Sequence, residues 1–463
     1  MSVFDESTSV AQDERALATP AEQTAPGRSS QWLRGQFWPL VAMLSVVVTG
    51  LAYSFWWGQL WYHVKVWVTP PDLWLTFRDA HWVGWGSEGA VYGNGTSLVT
   101  FPGIAVLLAP VALLQGPLHL TSSIPIFLPK PSMWYVLGPV ELLLGGFVLF
   151  PLNALATRLE ISGRRRIWLV WLEAALVWPV VAVWGHPEDP IAVAFAVYAL
   201  VAVYDRKWLH AGFFFGLALA FQPLVVLMIP AAFAFIPVRR WPVLLGEITL
   251  PSAVLLLGPL LHEWGPTTKA LLKQPNYPQL NHPTPWLALA PKLSPSHFVK
   301  SYVFLEHTLA NGTKTYSATV GKTLSGNVVA AGPERDIALV IAVFIGFSLL
   351  KRRPSWPRLI WWIGLALSLR CVFESILDPF YFFPGLALIL IASFTTTWRK
   401  IVLTIAFVTA CTFLSYWHAG EWTYYSLVCA ALLFAIGFAY PVSGDSTDRA
   451  READASPAED IEV

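Results

Sequence analysis

Asp72 and Asp79 lie seven residues apart in the segment Pro70-Pro71-Asp72-Leu73-Trp74-Leu75-Thr76-Phe77-Arg78-Asp79-Ala80-His81. On a helix that spacing puts both carboxylates on nearly one face. Arg78 and His81 stand close by in the chain. Such a group could hold a base that deprotonates an acceptor hydroxyl, with a cation to neutralise a phosphate. The same residues also suit an interfacial helix whose charges are solvated and whose aromatics anchor it.

Two further groups could carry chemistry. His186-Pro187-Glu188-Asp189-Pro190 interrupts two apolar segments with no spacer, and its prolines hold three polar side chains at one mouth. Carboxylates beside a histidine could bind a divalent metal, although the ligand count is short and the spacing matches no strong metal motif. The bland alternative is a tight turn between helices. Arg370, Glu374 and Asp378 follow one another at i, i+4 and i+8 near the end of an apolar segment. That spacing predicts an Arg370–Glu374 pair within a helix, on the face carrying Asp378. Ionisable residues inside a membrane are functional candidates by default, and the alternative is a buried pair that fixes packing. Glu141, Glu173 and Glu247 are single acids in apolar runs and are expected to face a bundle interior.

Membrane-like elements must position these residues. The chain has 463 residues, 55% hydrophobic and 13% charged, and a mean hydropathy of +0.54. Soluble domains carry about 25% charged residues. With repeated apolar runs of about 17–25 residues, this predicts an all-α polytopic membrane helical bundle, of about 10–13 transmembrane or re-entrant helices, whose outer-face loops form a cavity. The runs are continuous rather than alternating, which argues against a β-barrel. A net charge of +1 gives no reason to expect nucleic acid. Cys371, Cys411 and Cys429 all fall in apolar runs and read as small core residues. The 24 Trp and 36 Pro suggest interfacial anchoring and short, broken helices around a cavity.

The apolar segments are 37–57, 98–116, 134–156, 167–184, 190–204, 209–236, 243–261, 337–350, 359–376, 379–397, 401–417 and 422–440. Residues 1–35 and 442–463 read as disordered cytoplasmic tails, the second acidic, flanking a membrane domain over 36–441. The basic loops Arg164-Arg165-Arg166, Arg206-Lys207, Arg239-Arg240, Lys351-Arg352-Arg353 and Arg399-Lys400 are expected in the cytoplasm of a multi-pass protein of the cell membrane. The outer side then carries a first loop, 58–97, the turn at His186, a large loop, 262–336, Asp378 and Glu421. The large loop includes Asn281-His282-Pro283-Thr284-Pro285-Trp286 and is expected to form short helices on the membrane surface. One parity conflict arises. Three segments separate Asp72 from His186, yet both belong outside, so one must fail to cross. Segment 98–116, bounded by prolines, is the best candidate. Segment 209–236 has basic residues at both ends and should be a hairpin of two short arms or re-entrant.

At Asp72-Leu73 through Ala80, followed by Gly84, Tyr92 and Thr100-Phe101-Pro102, the chain resembles the GT-C class of membrane glycosyltransferases. It is most similar to actinobacterial mannosyltransferases that use polyprenyl-phosphate-mannose. Phe101-Pro102-Gly103 stands where that group has Tyr-Pro-Pro. The likeness runs through Trp184-Gly185-His186, where the family often has Gly-Gln, and through Ala211 to Pro223, where Gln222-Pro223 replaces Lys-Pro. The resemblance implies an outer-face active site, a lipid-phosphate sugar donor, a membrane lipid or glycan acceptor and inverting transfer. It makes Asp72 the general base, with Asp79 as the alternative. Arg78, His81, His186, Glu188, Asp189, His282, Arg370, Glu374 and Asp378 become candidates for substrate binding. No cofactor is implied with certainty beyond the divalent metal already considered. Two other classes remain open: a transporter or flippase for a lipid or sugar, and a non-catalytic scaffold of the cell envelope. There is no Walker lysine motif, no His-Glu-x-x-His, no Cys-x-x-Cys and no nucleophile elbow.

Overall fold

Apolar side chains on every face, rather than along one stripe, make a helix that must be surrounded by protein or lipid. The chain has many such segments, and they fold as helices. The computed structural model describes residues 28–62, 70–87, 89, 91–92, 101–120, 133–276, 278, 282–308, 314–417 and 420–442. The two tails, 1–27 and 443–463, lie outside the described residues. Residues 28–35 were expected in the N-terminal tail but belong to a helix, α1 (Arg28–Tyr62). Gln31-Trp32-Leu33-Arg34 are good or neutral helix formers and extend the apolar span beyond its hydrophobic boundary.

Helix α2 (Pro71–Gly84) and α3 (Gly103–Leu113) follow. Then come α4 (Trp134–Gly146), α5 (Leu149–Arg158) and α6 (Gly163–Pro179), the last prolonged by a π turn, Val180–Trp184. Next are α7 (Glu188–Tyr204), α8 (Trp208–Phe221), α9 (Ile229–Phe233), α10 (Trp241–His262) and α11 (Trp264–Leu272). After an extended insertion come α12 (Pro333–Arg352), α13 (Trp356–Val372), α14 (Phe383–Phe394), α15 (Trp398–Ser415) and α16 (Glu421–Phe438). The result is an all-α polytopic bundle. Among the described residues, six helical stretches are long and apolar enough to cross a membrane: Gly35–Trp56, Trp134–Arg158, Gly163–Trp184, Val238–His262, Trp398–Ser415 and Glu421–Phe438. Many prolines begin helices rather than break them. Pro71, Pro333, Pro357 and Pro384 sit in the first turns of α2, α12, α13 and α14, where the missing N–H is not needed.

The basic loops gather at one end of the bundle. Arg158 makes a two-pronged contact with Asp205 at 3.2 and 2.9 Å. Arg165 donates to the carbonyls of Phe394 and Thr396, and Lys400 to that of Tyr440. The N-terminal part of α1 joins the same end through Asn153, which donates to the Gly35 carbonyl. The bonds from Arg165 and Lys400 satisfy carbonyls left open at or just past the ends of α14 and α16. Helices α4 and α5 run to this end and α6 returns, so Asp72 and His186 share the opposite, acidic end.

That arrangement resolves the parity conflict. Helix α3 has 11 residues, about 16 Å of rise, against a hydrocarbon core of about 30 Å. It packs beside α2 and against the end of α8, where a Cβ at Gly103 would stand 2.4 Å from the Ala220 carbonyl oxygen. It does not cross. Segment 209–236 breaks at Gln222, which is extended at φ −142°, and Pro223 opens a 3-10 turn that leads into α9. The segment therefore rises and returns as two short arms.

The insertion differs from expectation. It includes α11 and a short 3-10 turn, Pro285–Leu289, but its main feature is antiparallel. Strands β1 (Pro275–Asn276), β2 (Lys292–Thr308) and β3 (Lys314–Ala330) pair in the order β1-β3-β2. The reason lies in composition. Tyr302-Val303-Phe304 and Thr319-Val320 are β-branched or aromatic, and Asn311-Gly312 between the strands is a hairpin-turn sequence. Surface helices were the wrong expectation for this stretch.

Candidate functional site

The acidic end is assembled around a glycine. Gly185 closes the π turn after α6 in a left-handed conformation, φ +71°. A Cβ there would lie 2.6 Å from Pro70 Cβ and 2.7 Å from Leu73 Cβ. Glycine alone tolerates both the backbone angle and the approach. The first turn of α2 is thereby seated against the turn that carries His186.

This contact brings Asp72 to His186. The imidazole Nε2 stands 3.1 Å from Asp72 Oδ2, and Nδ1 stands 2.5 Å from Glu188 Oε1. Both ring nitrogens face carboxylate oxygens, which only accept, so both donate and the ring is an imidazolium. Burial alone would lower the His186 pKa. The Glu188 charge outweighs it, with the hydrogen bonds to Asp72 and Glu188 and the Asp72 charge, and holds it well above the ordinary histidine value. The ring also stacks on Phe380 at 3.8 Å and 19°. Glu188 and Asp189 occupy the first turn of α7, where the helix dipole favours negative charge. Asp189 Oδ1 accepts from Gln222 Nε2 at 2.6 Å. The carboxylate of Glu141, fully buried on α4, faces the charges of Glu188 and His186.

Asp72 differs from its neighbours in exposure. Its side chain is 45% exposed, against 18% for His186 and 6% for Glu188. One carboxylate oxygen is oriented by the imidazolium while the group as a whole meets solvent. Such an arrangement can present a fixed carboxylate to a hydroxyl arriving from outside.

A second cluster adjoins the first through Asp189, which feels the Arg370 charge. The predicted Arg370–Glu374 helix pair is corrected here. Helix α13 ends at Val372, and residues 374–378 are not helical. Residues 282–284 pair with them. The Thr284 amide donates to the Ser375 carbonyl, that of Leu377 to the His282 carbonyl, and Pro283 bridges Ile376. Asp378 precedes Pro379, which disfavours helix there, and it is extended at ψ 149°. Glu374 is gripped instead by Arg335, whose Nε lies 2.8 and 3.1 Å from its two oxygens, with Gln274 on Nη1 at 3.0 Å. Arg370 Nε is 4.0 Å from Glu374, and its guanidinium lies over the Tyr381 ring at 3.4 Å. Arg370 is 7% exposed, and its Nε and Nη1 have no hydrogen-bond acceptor. Asp378 is buried at the rim of this group.

The remaining candidates are placed apart. Asp79 is buried on α2 and faces Tyr92, whose phenol is raised by burial and then by the Asp79 charge. His81 stacks against Trp85 at 4.2 Å, and burial lowers its pKa. His282 stacks on Tyr424 at 4.3 Å and 20°, so its ring serves the anchoring of the insertion. The side chain of Arg78 lies outside the described residues. Among the described residues no group of three or more His, Cys, Asp or Glu is arranged to hold a metal ion, and His186 spends both nitrogens on carboxylates. Among the described residues the loops at this end frame a packed polar cluster. A gap beside Pro379 and Phe380 measures about 10 Å³, scarcely one water.

Sequence reasoning missed Arg335, Gln274 and Tyr381, and it took Gln222 only as a replaced lysine. A signal existed for Arg335. It stands at the acidic end, against the rule that arginines gather on the basic side, as does Arg370.

The fold and this site define a polytopic helical membrane protein with a buried ionic cluster at one end. No protein-family model and no curated protein matches the chain.

Proposed function

We propose that the protein is an integral membrane glycosyltransferase of the GT-C kind. It moves a mannose-like sugar from a polyprenyl-phosphate donor to a cell-envelope lipid or glycan. The carrying observation is Asp72, a solvent-reaching carboxylate held on one oxygen by the His186–Glu188 pair. In this reading the acidic end is the outer face of the cell membrane, and both chain tails are cytoplasmic. The acceptor hydroxyl attacks the anomeric carbon while Asp72 takes its proton. The bond from that carbon to the phosphate oxygen breaks, and the lipid phosphate leaves with the electron pair. One base suffices for this inverting displacement, because the phosphate departs as a stable anion. Arg370, buried beside Tyr381 with donors to spare, supplies positive charge beneath the phosphate. Gln222 stands where the resembled family carries a lysine, and its bond to Asp189 orients a carboxylate rather than a donor.

The experiment is transfer of radiolabel from polyprenyl-phosphate sugars, mannose first, in membranes with and without the protein. Label entering envelope lipid or glycan only with the protein present supports the reading. A panel of donors giving no protein-dependent transfer removes it. A transporter is the second reading, and Glu141 and Glu173 favour it. Both carboxylates are fully buried within apolar helices without hydrogen-bond partners, as in ion-coupled carriers. Protein-dependent uptake of sugar or lipid without covalent transfer is its signature.

A further inference from the structure

The opposite end of the bundle holds a second feature, independent of the glycosyl reading. A cavity of about 290 Å³ opens where α8 and α10 begin. Lys207, His210 and Arg240 line it on the polar side, and Trp208, Val243 and Leu244 on the apolar side. Its volume lies at the small end of ligand sites.

We propose that this cavity binds the phosphodiester headgroup of an anionic membrane lipid. Three observations carry the inference. The first is that its cations are unengaged. Among the described residues Lys207, His210 and Arg240 have no carboxylate or carbonyl partner, and all three converge on one cavity. The second is their position. Lys207 and Arg240 immediately precede the first turns of α8 and α10. Cations repel the positive end of a helix dipole, so the placement costs stability unless an anion sits between. The third is what lies beyond the cavity. Val243, Leu250, Val254 and Leu257, which share one face of α10, are all about half exposed or more. An acyl chain can lie along them with its headgroup in the cavity. A free phosphate would use the cations but leave this track unoccupied. Basic pockets between membrane helices hold anionic headgroups by the same combination.

The test uses the full chain in neutral detergent and native mass spectrometry. Didecanoyl phosphatidylglycerol is titrated against didecanoyl phosphatidylcholine. The wild type retains the anionic lipid preferentially. The pair Lys207→Gln with Arg240→Gln weakens that binding about 30-fold, as two lost charges near a headgroup would. The charge-keeping pair Lys207→Arg with Arg240→Lys retains it, which separates loss of charge from loss of fold. A control pair at the same end but outside the cavity, Lys351→Gln with Arg352→Gln, leaves it unchanged. Equal retention by wild type and the Gln pair overturns the proposal, and so does equal weakening by the control pair. Displacement of the lipid by inorganic phosphate or glycerol phosphate at matching concentration assigns the site to a free anion and also overturns it.

Discussion

Replacing His186 by alanine removes the only hydrogen-bond partner, among the described residues, of a buried carboxylate. Glu188 is 5% exposed, its Oε1 bonds only to the imidazole, and its Oε2 has no partner. Leaving such a charge uncompensated costs about 3–5 kcal/mol. The Asp72 contact adds at most about 1 kcal/mol, because that carboxylate is 45% exposed and solvent screens it. The gap left by the ring admits some water, so a loss of about 3 kcal/mol is expected for His186→Ala. Glu188→Ala leaves the imidazolium bonded to Asp72 and also relieves the Glu188 charge felt by Glu141. It should cost less, about 1.5 kcal/mol. The double variant lacks both members, so the two losses do not add, and a coupling of about 2 kcal/mol is expected. Reversible unfolding in mixed micelles measures all four proteins of the cycle. Losses that add to within about 0.5 kcal/mol would show that the two groups do not interact, and the account of the site would fall.

Two further predictions follow the same electrostatics. The folded pKa of His186 is raised, so its contribution to stability is fully present below the unfolded value of about 6.5 and is lost as pH rises through the folded value. Ring resonances in labelled protein should therefore titrate above pH 6.5, and Asp72→Asn should move that midpoint down. A midpoint at or below 6.5 contradicts the paired imidazolium. At the neighbouring cluster, Arg335→Ala leaves the buried Glu374 with only the distant Arg370 and should cost about 3–5 kcal/mol. Arg335→Lys should recover part of this, since an ammonium cannot make the fork. An unfolding midpoint unchanged in Arg335→Ala would show that the pair is not structural.

Much of the architecture was legible because membrane helices announce themselves by length and hydropathy. The short α3 and the arms around Gln222 could be located from prolines and basic flanks before their course was known. The insertion was less legible. Its length suggested short surface helices, while the sequence Asn311-Gly312 and the β-branched residues on either side carried the better signal. At the site, His186 and Glu188 were nominated together and Asp72 separately, and nothing local joined Asp72 to the other two. Their meeting depends on a left-handed glycine, Gly185, that lets α2 pack on the turn after α6. Asp79 shares a helix face with Asp72 yet is buried, because the two ends of α2 have different neighbours. Arg370 and Glu374 do pair, at 4.0 Å, but not within a helix, because α13 stops at Val372 and the spacing rule applies only while the helix lasts. Arg335 is 35 residues before Arg370 in sequence, and it meets Glu374 because α12 and α13 pack as consecutive helices whose start and end lie together.

The most direct test of the central claim is single-turnover sugar transfer by purified Asp72→Asn beside wild type, with binding of the polyprenyl-phosphate donor measured on the same samples. The account predicts donor binding within a few-fold of wild type and transfer slowed by about 10²–10⁴, the contribution of a general base. Transfer at the wild-type rate by Asp72→Asn would contradict it and remove that carboxylate from the chemistry.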